Sequence, residues 1–123
     1  MVQDFKQLAV WRKSHELTLA IYRATTEFPF EEIYGLTGQV RRSAAAIPTL
    51  IAEGFGRQNS ADFARALSEA MGAANEVEYL LLLARDLGWL NDTSYDILAR
   101  GVAEVQRMLA TLHAKVREQI PRN

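Results

Sequence analysis

Apolar side chains recur at three- and four-residue steps along nearly the whole chain, the spacing that lines one side of an α-helix. Phe5, Leu8, Trp11, Leu19 and Tyr22 mark a first helix over about Asp4 to Glu27, with Asp4 placed to cap it. Phe28-Pro29-Phe30 ends it, because proline supplies no amide donor and disfavours helical geometry in the residue before it. Leu36, Val40, Ala44, Ile47 and Ile51 set a second helix between the Tyr34-Gly35 turn and Gly54-Phe55-Gly56, where glycine can take the left-handed conformation that closes a helix. Ser60-Ala61-Asp62-Phe63 opens a third with a capping serine and an acid in its first turn. Its stripe is Phe63, Leu67, Ala70, Ala74, Val77, Leu81 and Ala84, and Leu87-Gly88 stops it. Asn91, Asp92 or Thr93 caps a fourth, with the stripe Tyr95, Leu98, Val102, Val105, Leu109, Leu112 and Val116, closing near Pro121. There is no strand pattern and no internal repeat. The pattern predicts an all-α chain, residues 1–123 forming a single domain, an antiparallel up-down-up-down four-helix bundle.

Two stretches disturb the simple pattern. Pro48 lies in the second helix, where it removes one backbone hydrogen bond and crowds the Ala44 carbonyl, at a cost of about 3 kcal/mol if nothing compensates. The apolar period continues in phase on both sides, so helix two is expected to be kinked at Pro48 and not broken. In Tyr79-Leu80-Leu81-Leu82-Leu83-Ala84 apolar side chains point in every direction around the helix. The outer side then needs a cover, either a long loop or tail, or another subunit meeting Tyr79, Leu82, Leu83 and Trp89. Small residues at Ser43-Ala44-Ala45-Ala46 and at Ala70, Gly72, Ala73 and Ala74 allow helices two and three to approach closely.

Composition narrows the function. At 123 residues, with 49% hydrophobic and 24% charged residues, the chain suits one folded domain. With no cysteine, disulfides, thiolate zinc sites and cysteine nucleophiles are excluded, and a cytoplasmic setting is expected. No leader pattern or membrane-length apolar run is visible. A net charge of -1 gives no global positive field, so nucleic acid must be met by a local patch, for which Arg12, Lys13, Arg41, Arg42, Arg57 and Arg65 are the candidates. Arg57 is the most pointed of these, because it precedes the third helix, whose free N-terminal amides attract anions. The plainer reading is an ordinary helix connection whose arginines are neutralised by Glu53, Asp62 and Glu69. His15 and His113 lack the Glu-x-x-His spacing of in-bundle metal sites, and no nucleotide loop occurs. Glu53, Glu69, Glu76 and Glu78 read as partners for Arg41, Arg42 or Arg85. No catalytic residue, metal or cofactor is expected.

Asp4-Phe5-Lys6, Leu8-Ala9-Val10-Trp11, Phe28-Pro29, Tyr34-Gly35-Leu36, Gln39-Val40-Arg41-Arg42 and Ile51-Ala52-Glu53-Gly54 occur in this order. Together they resemble the 23S rRNA-intervening sequence protein family, also called the four-helix bundle protein family, over nearly the whole chain. The resemblance implies a bacterial four-helix bundle assembled as a ring-like homopentamer. It also implies kinship with the accessory protein of diversity-generating retroelements, which binds nucleic acid and a reverse transcriptase. The chain departs from the family pattern at Ala46 and Leu50, where serine and asparagine are usual, and at Ala73, where serine is usual. Two functions compete: a homo-oligomer whose basic residues contact RNA or DNA, and a protein-interaction scaffold that docks a partner through aromatics such as Phe30, Phe55 or Trp89.

Overall fold

Asp4 caps a helical turn, but a shorter one than its position in the sequence implies. In the computed structural model, which describes residues 2–122, its carboxylate accepts from the Lys6 amide at 2.9 Å, and the Gln7 side chain accepts from the Asp4 amide at 3.3 Å. This reciprocal box closes the 3-10 turn Phe5–Gln7. Leu8 is extended (ψ 125°), so helix α1 begins afresh and spans Ala9–Ala24, followed by a second 3-10 turn, Thr25–Glu27. The continuous helix expected over Asp4 to Glu27 is therefore three pieces. Its inward face also differs from the expected stripe: Val10, Ser14, Leu17, Thr18 and Ile21 are buried, whereas Leu19 and Tyr22 are exposed. The hydroxyls of Ser14 and Thr18 reach the Trp11 and Ser14 carbonyls at 2.9 and 2.8 Å, which lets two polar residues lie inside.

Helix α2 spans Leu36–Gly56 and passes through Pro48 without interruption, so the chain does not break there. Proline leaves the Ala44 carbonyl without its usual donor, and the buried Thr18 hydroxyl of α1 lies 3.1 Å from that oxygen. At the other end the Glu32 carboxylate accepts from the Leu36 amide at 3.1 Å and so caps α2. Helix α2 ends at Gly56, within the expected Gly54-Phe55-Gly56, but neither glycine is left-handed and Gly54 is still helical. It is buried against α3, and a Cβ at this position would lie 2.5 Å from the Ala66 Cβ. The left-handed residue of the connection is Gln58 (φ 61°). Helix α3, Ser60–Asp86, is capped by Asn59 and not by Ser60: the Asn59 side chain accepts from the Asp62 amide at 2.9 Å. Gly88 (φ 83°) turns the chain after α3, and Asn91 caps α4, Asp92–Glu118.

Contacts between helices fix their directions. Thr18 of α1 meets Ala44 of α2, while Arg41, earlier in α2, reaches back to Tyr22 and Thr25. Gly54 packs on Phe63 and Ala66, and Gln39 donates to Glu76 at 3.3 Å. Gln106 of α4 donates to Asn75 and Glu78 of α3, and Arg85 stacks on Tyr95. Gly101 lies beside Leu17, and Lys13 pairs with Glu104 at 3.6 Å. In each pair rising numbers on one helix meet falling numbers on the other, so neighbours are antiparallel and α4 closes the bundle against α1. The core between them holds Ile21, Ile47, Ile51, Leu67, Leu81 and Leu109, all fully buried.

Replacing Thr18 with valine keeps the shape but removes the donor facing Ala44. An unpaired buried carbonyl costs about 1–3 kcal/mol, so the T18V protein is expected to unfold at lower urea concentration with an unchanged slope. Unaltered stability would mean that another group serves the Ala44 carbonyl.

Candidate interaction surfaces

The six candidate cations do not share a face. Arg41 is occupied within the fold: Nε donates to the Thr25 hydroxyl at 2.8 Å, Nη2 donates to the Tyr22 carbonyl at 3.1 Å, and the guanidinium lies 4.8 Å from the Tyr22 ring centre. It fastens the start of α2 to the end of α1. Arg12 donates to the Lys6 carbonyl at 3.1 Å and fastens the N-terminal turn to α1. Lys13 turns the other way, between Glu16 and Glu104 on the α4 side. Arg65 pairs with Asp62 at 3.9 Å. Arg42 and Arg57 have no ion pair among the described residues, but they stand near opposite ends of α2, about 22 Å apart at 1.5 Å per residue.

Arg57 and Arg65 both line a groove of about 300 Å³ between α2 and α3, which is also lined by Glu53, Asp62 and Glu69 beside Leu50, Gly54 and Ala66. Three carboxylates face two guanidiniums, so a phosphate entering the groove would meet like charge as well as opposite charge. The N-terminus of α3 carries its own acid, Asp62, whose amide is already taken by Asn59. The second half of α4 carries Arg107, Lys115 and Arg117, which make no ion pair among the described residues. No motif in the sequence marks these three, although Lys115 and Arg117 in the last turn suit the negative end of the helix dipole. Among the described residues no three His, Asp or Glu side chains gather as a metal site. No helix of the described residues is long and apolar enough to cross a membrane.

Apolar surface is the more distinctive feature. Of the four residues expected on the outer side of α3, Leu83 and Trp89 pack against the core, Trp89 with its ring 6.0 Å from that of Phe28. Tyr79 (59% exposed) and Leu82 remain outward and, with Asn75, Glu78 and Tyr95, line a depression of about 310 Å³, while Ile97 on α4 is 62% exposed. Of the three aromatics considered for docking, Phe55 packs edge-on against Phe63 and Trp89 is half-buried, which leaves Phe30 at 82% exposure. Tyr34, read in the sequence only as part of a turn, is 94% exposed. A third apolar feature is a groove of about 440 Å³ along α1 and α2, lined by Phe5, Trp11, His15, Thr18, Ala45, Pro48, Thr49, Ala52 and Glu53. His15 stacks on Trp11 at 5.1 Å, and Phe5 meets Trp11 edge-on at 5.0 Å, so these aromatics build a groove wall where a core stripe was expected.

The fold defines an all-helical bundle that presents surfaces for contact and holds Lys6, Lys13, Arg65 and Arg85 in local ion pairs. Residues 6–111 match the 23S rRNA-intervening sequence protein family, and the chain belongs to that family. A similar solved structure is a protein of unknown function from the S23 ribosomal protein family of Bacteroides thetaiotaomicron, determined at 1.70 Å. It aligns with a TM-score of 0.78 and 25% identity, over 85% of this chain and 95% of that one. No curated protein matches this chain.

The two arginines of α2 separate structure from surface. Arg41→Ala is expected to lower stability by about 1–2 kcal/mol through its lost hydrogen bonds, and Arg57→Ala to change it by less than about 0.5 kcal/mol. Equal effects in urea unfolding would contradict this division.

Proposed function

We propose that this protein is a non-enzymatic, homo-oligomeric scaffold of the cytoplasm, pentameric as the family resemblance implies, that works through protein–protein contact. The observation that carries the reading is the contrast between its two kinds of surface. Phe30, Tyr34, Tyr79 and Ile97 stand largely in solvent, and aromatic side chains of this kind are enriched at protein interfaces. The cations, by contrast, are divided between faces, and several are held by local acids or carbonyls. A near-neutral surface with exposed aromatics is the composition of a protein interface.

Nucleic-acid binding by the assembled protein is the second reading, favoured by Arg42 and Arg57 and by the basic second half of α4. Repetition of these cations around an oligomer would multiply a charge that one copy lacks. The two readings differ in salt dependence, because phosphate contacts release counterions and weaken steeply as salt rises.

Light scattering is expected to give a mass that is a multiple of 13.8 kDa and steady between low and physiological salt. Fluorescence anisotropy with structured RNA and with duplex DNA is expected to show no complex at physiological salt. A 13.8 kDa species at micromolar concentration would refute the oligomer. A tight complex that collapses with salt would replace the scaffold by the nucleic-acid reading.

A further inference from the structure

We infer that α3 of one copy packs antiparallel against α4 of the next copy. This inference rests on the homo-oligomeric reading and names the contact that builds the oligomer. Each of the two helices turns a matching stripe outward. On α3, Glu69, Gly72, Glu76 and Tyr79 follow one another at steps of three, four and three residues, and all are exposed, Tyr79 at 59%. On α4, Arg100, Ala103, Arg107 and Ala110 follow the same steps, with only Ala103 half-buried. Such steps keep a set of side chains on one side of a helix.

Hydrogen bonds within one copy fix how the two stripes are levelled. Gln106 donates to both Asn75 and Glu78, so it stands beside the turn between them. Counted along the antiparallel helices from this tie, Tyr79 is level with Ala103, Glu76 with Arg107, Gly72 with Ala110, Glu69 with Lys115 and Arg65 with Glu118. Each match holds to within about 3 Å, two residues of rise. A rotation about an axis parallel to the helices leaves these levels unchanged, so it brings the same residues of two copies together.

Charge then favours the pairing at every level. Arg65, Glu69 and Glu76 of α3 meet Glu118, Lys115 and Arg107 of α4, opposite signs in all three cases. Glu69, Glu76, Arg107 and Lys115 make no ion pair among the described residues, although Glu76 accepts from Gln39 at 3.3 Å. Two other charges near the stripes are already paired, Asp62 with Arg65 and Glu104 with Lys13. Sliding one helix by a turn would set acids beside small residues and lose the match, so the charges fix register as well as partner. Between them Gly72 faces Ala110 and Tyr79 lies over Ala103, and these small residues let the helices approach closely.

The contact can only be intermolecular. Within a copy α3 meets α4 through Asn75, Glu78 and Arg85 against Gln106 and Tyr95, on other sides of both helices. Two different patches make a heterologous contact, which closes into a ring when repeated if the rotation allows.

The test is a charge swap read by light scattering, with circular dichroism as the check on folding. All four side chains to be changed are exposed, so the fold of a single copy does not depend on them. The Glu69→Lys/Glu76→Lys protein and the Arg107→Glu/Lys115→Glu protein each set like charges across the contact, and each is expected to fall to 13.8 kDa with helical content retained. The chain carrying all four substitutions restores opposite signs and is expected to regain the wild-type mass. Gly72→Trp, at a position where a Cβ meets nothing within 4 Å in its own copy, is expected to block assembly by bulk alone. If the wild type is oligomeric and the double variants or Gly72→Trp keep its mass, or the fourfold variant stays at 13.8 kDa, the contact lies elsewhere and only this inference fails. A monomeric wild type removes the homo-oligomeric reading and this inference with it.

Discussion

A hydroxyl on α1 shares its one proton between the Ser14 carbonyl and the α2 carbonyl that Pro48 leaves without an amide donor. Proline in the interior of a helix leaves one carbonyl unserved, and at Ala44 that carbonyl faces the bundle, away from water that could solvate it. Thr18 sits one helix away at 3.1 Å and is itself buried. The contact sets the register of α1 on α2, and Arg41 reinforces it by gripping Tyr22 and Thr25 further along. The shape of the α1–α2 pair follows from these two ties. Pro48, Ala45 and Thr49 form the floor of its groove, and Phe30 and Tyr34 crown its far end. Interior bonding thus positions the surfaces available to a partner.

On the opposite side the constraint is steric. Gly54 leaves no room for a side chain between α2 and Ala66 of α3, so the two helices approach along small residues. This close approach brings Glu53 and Arg57 of α2 beside Asp62, Arg65 and Glu69 of α3. Mixed charge in that groove balances locally and leaves little field for a distant phosphate. The same packing that stabilises the bundle therefore separates and partly neutralises cations that look like a set in the sequence.

Helices α2 to α4 were legible in the sequence because their buried positions are large aliphatics or alanines at regular spacing. The face of α1 was not, because Ser14 and Thr18 bury polar side chains by bonding backward to helix carbonyls, and a count of apolar residues then favours Leu19 and Tyr22. Gly54 resembled a helix terminator because glycine serves both endings and close packing, and only the neighbouring helix distinguishes them. Phe30 could be read as an exposed aromatic, but Phe55 and Trp89 could not be separated from it, since each depends on a partner ring, Phe63 or Phe28. The cations were hardest of all: neighbours in sequence such as Arg12 and Lys13 point to different sides of one helix, one to the N-terminal turn and one to α4.

The tie between Thr18 and the Ala44 carbonyl is tested most directly by a double-mutant cycle with Pro48, the residue that leaves this carbonyl without an amide donor. Pro48→Ala supplies that amide within α2, so in its background T18V is predicted to cost at least about 1 kcal/mol less in urea unfolding than it does beside Pro48. Equal costs in the two backgrounds would contradict the tie.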